Sequence, residues 1–239
     1  MGTVSNGRLD DIEWLPIMET WYNGTIMRKM DKRKVEKILD LLQEEYPQAG
    51  CELNHLSVYE LLVCVTLSAQ TTDKSVNRVS PKLFEKYPDA KAMAQADPDD
   101  IAKIIKTIGM YKTKSKRIID QAKELVEKYD GNVPEDDELL VKLPGVGRKT
   151  ANVVMAEGFG HQRIAVDTHV FRVSNRIGLA AAKNVEETEE QLKKNLPGDK
   201  WSRSHHLLIF HGRYCCHARN PECERCVIKD ICKYYKEQR

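Results

Sequence analysis

Long apolar runs are missing from this 239-residue chain. No stretch approaches the roughly 20 consecutive apolar residues that a membrane-spanning helix requires. The N-terminus also lacks a charged region followed by an apolar core, so no secretory leader is expected. An excess of one charge is missing too: 38 lysines and arginines stand against 36 acids, a net charge of +2 that composition alone cannot turn into a nucleic-acid binder. Strictly alternating segments, which would mark half-buried strands with partners, are absent as well. These absences leave a non-membrane, intracellular protein of one large domain or two small ones, built without a sheet.

What is there is mostly helical periodicity. Val35, Ile38, Leu39, Leu42 and Tyr46 recur at helical spacing, as do Ile118, Ala122, Leu125, Val126 and Tyr129. Pro47 and Gly131 stop the two helices. Between them "SVYELLVCVTLSAQ", Ser57 to Gln70, is apolar nearly all round. Its β-branched residues suit a buried strand, but its length and the lack of an alternating partner favour a helix through a core. Pro88, Pro98 and Pro134 stand near the starts of further helices, and others begin at about Thr168, Val185 and Trp201. Residues 1–27, with Trp14 and Trp21 among polar residues and glycines, show no sustained period and read as an extension of unassigned order.

Charge is distributed unevenly along the chain. "KTIGMYKTKSKR", Lys106 to Arg117, carries five basic residues and no acid, whereas "NVEETEEQ", Asn184 to Gln191, is acidic. Taken singly, each run is equally well a solvated helix face.

Three motifs carry chemistry. "LPGVGRKTANVV", residues 143–154, joins two helices through a short turn. Gly145 and Gly147 allow positive φ and close approach of a ligand, and the free N–H groups at the next helix start suit an anion. A tight connection and nothing more is the alternative. Lys149 stands where the positive end of the helix dipole disfavours a cation. If it is also partly buried, its free amine becomes accessible near neutral pH and can serve as a carbon nucleophile; otherwise it is a solvent-directed surface lysine. In "IAVDTHVFRVSNR", Asp167 precedes a helix and alone reads as an N-cap. Finally, Cys216, Cys223, Cys226 and Cys232 form C-x6-C-x2-C-x5-C within seventeen residues. Without a secretory leader, disulfides are disfavoured. The spacing alone leaves tetrahedral zinc and an iron-sulfur cluster both open.

Together these motifs resemble the helix-hairpin-helix DNA glycosylases, most closely the endonuclease III branch, from about residue 30 to the C-terminus. The resemblance implies an all-α fold of two lobes: a helical barrel, residues 51–162, and a lobe of residues 28–50 and 163–239 that carries the cysteine loop. DNA would lie in the groove between them. Lys149 would attack C1′ of a damaged nucleotide and Asp167 would be the catalytic carboxylate. A carboxylate stabilises the oxocarbenium character that builds on the sugar, and an amine captures that carbon. The target nucleotide must leave the duplex. Gln70, in "SAQTTD", and Met110, in "IGMY", would fill the gap, although leucine is usual at the second position. Lys112 and Lys114 in the basic run would follow the phosphates, with Leu143, Gly145, Val146 and Gly147 of the hairpin also against DNA.

The same resemblance implies a 4Fe-4S cluster on Cys216, Cys223, Cys226 and Cys232, leaving Cys215 as an extra thiol and Cys51 and Cys64 structural. It implies a monomeric DNA glycosylase and abasic-site lyase acting on duplex DNA with damaged bases, chiefly oxidised pyrimidines, or abasic sites. In a prokaryote it would be cytoplasmic and nucleoid-associated. Two rivals stand beside it. A monofunctional mismatch glycosylase of the same superfamily would generally lack lysine at position 149, and a noncatalytic DNA-binding module would leave the Lys149 and Asp167 pair unexplained.

Overall fold

The computed structural model describes residues 20–22, 25–27 and 31–238. Trp14 lies outside the described residues. The all-α class holds, with one departure within the extension. Strands β1 (Thr20–Tyr22) and β2 (Thr25–Met27) pair antiparallel, with Trp21 opposite Ile26. This ribbon is the one sheet among the described residues, and at three residues per strand it is too short to show the alternation by which strands are read from sequence.

The helices follow in order: α1 (Lys32–Glu45), α2 (Val58–Ser68), α3 (Asp73–Lys86), α4 (Ala90–Ala94), α5 (Pro98–Ile104), α6 (Tyr111–Tyr129), α7 (Asp137–Leu140), α8 (Arg148–Val153), α9 (Thr168–Ile177), α10 (Val185–Asn195), α11 (Trp201–Tyr214) and α12 (Lys233–Glu237). Most starts are capped by short polar side chains, which satisfy amide groups that the helix leaves unbonded. Asp31 caps α1, Asn184 caps α10, and Ser57 accepts from Glu60 N–H at the head of α2. Glu60 in turn accepts from Leu56 N–H, at 2.7 Å. Among the described residues no helix is long and apolar enough to cross a membrane.

Buried residues fall into two clusters. One runs from Leu53 to Met155 and is centred on α2, whose residues Leu61 to Leu67 are all buried. That explains an apolar character all round the helix, and truncating Leu62 to alanine there would cost about 2–5 kcal/mol. The other cluster joins Val35, Ile38 and Leu42 of α1, and Tyr46 at its C-terminal end, to residues between Ile164 and Tyr235. α1 therefore packs on α11 although the whole first cluster separates them in sequence, and the Tyr46 ring meets Phe210 edge-on at 6.3 Å.

Polar side-chain contacts tie the two clusters together. Arg148 reaches Glu189 at 2.9 Å, His206 reaches Glu157 at 2.7 Å, and Arg213 pairs with Asp73 at 2.9 Å and with Glu52. α8 itself continues as a π-helical turn, Val154–Gly158, that carries Glu157 toward α11. Gly158 lies so close to α2 that an added Cβ would come within 2.8 Å of Val58.

Candidate active site and cysteine cluster

The segment between α7 and α8 is a tight turn held from behind by α6. Gln121 donates to the Pro144 carbonyl at 2.7 Å, and Val146 N–H donates to the Leu143 carbonyl at 3.0 Å. Gly145 has φ +76°, a conformation that favours glycine, and a Cβ there would fall 2.1 Å from Arg117 Cδ, so the arginine side chain would have to move aside. Gly147 differs from the sequence expectation: at φ −97° it is extended, with nothing within 4 Å of an added Cβ. Leu143 and Val146 also differ, since both side chains are buried in the first core and leave only their backbone for a ligand. The physical reason is that so short a turn must anchor its apolar residues inward to hold its shape.

Lys149 is the second residue of α8. The partial burial considered for it is not found: it is exposed, as are Gly147 and Arg148 before it. It makes no hydrogen bond or ion pair among the described residues, so its amine is unclaimed by the fold. Asp167 caps α9, and Oδ1 accepts from both His169 N–H and Val170 N–H at 2.8 Å. The cap reading is thus correct as local structure, and it leaves Oδ2 free of these bonds.

Lys149 and Asp167 line the same two adjoining clefts at the seam of the clusters, together with Asp73, Ser68, Glu52 and Arg213. Asn152 helps to fix the arrangement by donating to the Ile164 carbonyl, which ties α8 to the segment leading into Asp167. Asp73 reports the electrostatics: burial pushes its carboxyl up, Lys149 pulls it down and Asp167 pushes it up again.

Deeper in the cleft lie His205, His206 and Glu157, which the sequence reading missed. His205 is buried with Nδ1 unpartnered, and burial, followed by neighbouring His206, brings its pKa down to about 3. Burial pushes Glu157 up, but the His206 hydrogen bond and nearby imidazoles outweigh it and hold the carboxyl below its usual value. The visible signal was "SHHLLIFH", three histidines on one helix.

Gln70 and Met110 occupy two exposed loop tips, both in left-handed backbone, with φ of 54° and 55°. For non-glycine residues this geometry costs roughly 1–2 kcal/mol each. Lys112 is exposed. Lys114 corrects the sequence reading: it is 1% exposed, and its Nζ donates inward to Thr71 Oγ1 at 2.8 Å. The 3.6-residue period of α6 turns this lysine under the helix, beside the buried Ser115 and Ile118.

Cys216, Cys223, Cys226 and Cys232 line one pocket, together with Cys215, His211 and Ile177. Zinc bound tetrahedrally at about 2.3 Å would hold its sulfurs about 3.8 Å apart. One set of three potential ligand atoms, from His211, Cys215 and Cys226, lies within 4.8 Å of one another among the described residues, and it contains one of the four motif cysteines. Burial pushes the Cys226 thiol up to about 12 and raises Cys223 and Cys232, so loading the site must release protons. Arg176 supplies a positive neighbour, with Nη1 3.6 Å from Cys216 Sγ. His211 Nε2 lies 3.6 Å from Cys226 Sγ, a neighbour that spacing did not reveal.

Residues 63–198 match the family model described as HhH-GPD superfamily base excision DNA repair protein. Residues 216–232 match the iron-sulfur binding domain of endonuclease III, a match that begins at Cys216 rather than Cys215. The chain is 48% identical to endonuclease III of Haemophilus influenzae over 205 residues, covering 86% of this chain and 97% of that one. It is 45% identical to the Bacillus subtilis protein, covering 85% and 94%. A trapped covalent intermediate of endonuclease III with DNA superposes with TM-score 0.82 at 43% identity, covering 87% of this chain and 99% of that chain. A thermostable thymine-DNA glycosylase superposes with TM-score 0.77 at 26% identity, covering 86% and 98%. With its helical hairpin, its paired lysine and aspartate cleft and its four-cysteine loop, the chain belongs to the endonuclease III family of helix-hairpin-helix base excision repair proteins.

Proposed function

We propose that the protein is a bifunctional DNA glycosylase and abasic-site lyase that excises oxidised pyrimidines from duplex DNA. One observation carries the reading: an unclaimed amine, Lys149, shares a cleft between two cores with a carboxylate, Asp167, that has an oxygen to spare. DNA would lie along this seam between the lobes of residues 51–162 and of residues 28–50 with 163–239. The Gly145–Gly147 backbone and Lys112 would contact phosphates, and Gln70 and Met110 would fill the space left by the extruded nucleotide. The protein would act as a monomer, at the nucleoid if its source is a prokaryote.

In this reaction the Lys149 amine bonds to C1′ as the damaged base departs with a proton. Asp167 stabilises the positive charge that develops on the sugar. Opening of the C1′–O4′ bond leaves an imine with Lys149. Loss of a C2′ proton then expels the 3′ phosphate, which cuts the strand, and water releases the lysine. Cys216, Cys223, Cys226 and Cys232 would hold the 4Fe-4S cluster. When bound, the cluster supplies metal-thiolate links that fasten the end of α11 to α12.

The test is borohydride trapping on duplexes that each carry a single lesion. Wild type should form a covalent adduct on oxidised pyrimidines, and Lys149→Gln should bind the same duplexes without forming it. An adduct from Lys149→Gln at the wild-type rate would assign the nucleophile to another amine. Base release by wild type without nicking or trapping would favour the mismatch reading, with which the thymine-DNA glycosylase likeness is compatible.

A further inference from the structure

We propose that Lys114 is a positioning residue that holds Gln70 and Met110 side by side, an inference that rests on the reading of those two residues as the gap fillers. Gln70 precedes Thr71 on the turn between α2 and α3, and Met110 caps α6. Both tips are held in left-handed backbone without being glycine. The two turns are in contact: a Cβ added at Gly109 would stand 3.9 Å from the Gln70 carbonyl and 3.9 Å from Thr71 Oγ1.

Lys114 lies sealed beneath this contact and belongs to both turns. Its backbone N–H donates to the Met110 carbonyl at 2.9 Å, and its Nζ donates to Thr71 Oγ1 at 2.8 Å. Among the described residues no carboxylate pairs with it, and the cation facing it is Arg117. A buried ammonium without a counter-ion opposes folding, whereas methionine would fill similar space without that cost. What the amine adds is a directional bond across the two turns. The Lys114 end of that bond is buried and the Thr71 end half-buried, which limits competition from water. The separation of the two tips is thereby fixed before DNA arrives, so less ordering remains to be done when they enter the duplex.

Single-turnover excision of one lesion, presented in duplex and in single-stranded DNA, tests this. Lys114→Met should slow duplex excision between about tenfold and a hundredfold, the scale of a misplacement near 1 Å. It should leave single-stranded excision unchanged, because no gap is filled there. Thr71→Val should act in the same direction, and the double variant should be no slower than Lys114→Met alone. Equal slowing on both substrates, unaltered duplex excision or additive losses would overturn the assignment. If Lys114→Met does not fold, Thr71→Val decides alone: a duplex-selective loss supports the role, and any other result refutes it. Gln70→Ala and Met110→Ala separate the two layers of inference. Duplex selectivity in them but not in Lys114→Met refutes Lys114 alone, and its absence from all of them removes the gap-filling reading and this inference together.

Discussion

Asp167 has two duties in one side chain, and substitution can separate them. Both cap bonds, to His169 N–H and Val170 N–H, go to Oδ1 at 2.8 Å. Asparagine keeps an oxygen in that place and is an equally good N-cap, so Asp167→Asn should cost only a few tenths of a kcal/mol. Alanine removes both bonds and should cost about 1 kcal/mol, with an upper limit near 2. In a chain of this size that is a fall in Tm of about 2–4 °C. The chemical duty depends on charge. Loss of the carboxylate facing the developing oxocarbenium should reduce single-turnover excision by about 10²–10³ in both variants. Thermal unfolding by circular dichroism, beside excision of an oxidised pyrimidine from duplex, gives both numbers on the same preparations. The expected pattern is one stable and one labile variant, both slow. An asparagine variant as labile as alanine would refute the Oδ1 cap argument, and near-wild-type excision by asparagine would remove Asp167 from the chemistry.

The hairpin glycines should part company: Gly145→Ala, forced to φ +76° under Arg117, should lower Tm, whereas Gly147→Ala, with open space at its Cβ, should chiefly weaken DNA binding in a titration. Anaerobic iron and sulfide analysis should find the cluster lost in Cys216→Ser and retained in Cys215→Ser, and the reverse result would reassign the ligand. His205 gives a pH dependence. Its folded pKa of about 3 lies below the ordinary 6.5, so below 6.5 the unfolded chain takes up a proton that the folded chain refuses. Stability is therefore complete above that value and falls as pH drops toward 3, by about 1.4 kcal/mol per pH unit, or roughly 2 kcal/mol by pH 5. Denaturant midpoints for wild type and His205→Gln between pH 5 and 7.5 should converge as the pH falls, and parallel curves would count against a neutral buried imidazole.

The sequence by itself determined what depends on neighbours along the chain. Ser57 capping a helix, the all-round apolar α2 and the stop at Pro47 follow from side chains within a few residues of one another. The chemical types of Lys149, Asp167 and the four cysteines were legible for the same reason, since each stands in a compact motif. The tertiary structure alone decided which way a side chain faces and what it meets from afar. Lys112 and Lys114 are two residues apart in one basic run, yet α6 turns one outward and seals the other under Thr71. Leu143 and Val146 went inward because the short turn between α7 and α8 needs anchors in the first core. Asp73, Glu157, His205 and Arg213 reach the cleft from segments up to 140 residues apart, as the Arg213–Asp73 bond shows. No local pattern encodes such a meeting. It arises when two separate cores close on each other, and the charges left at their seam must then find partners or a substrate.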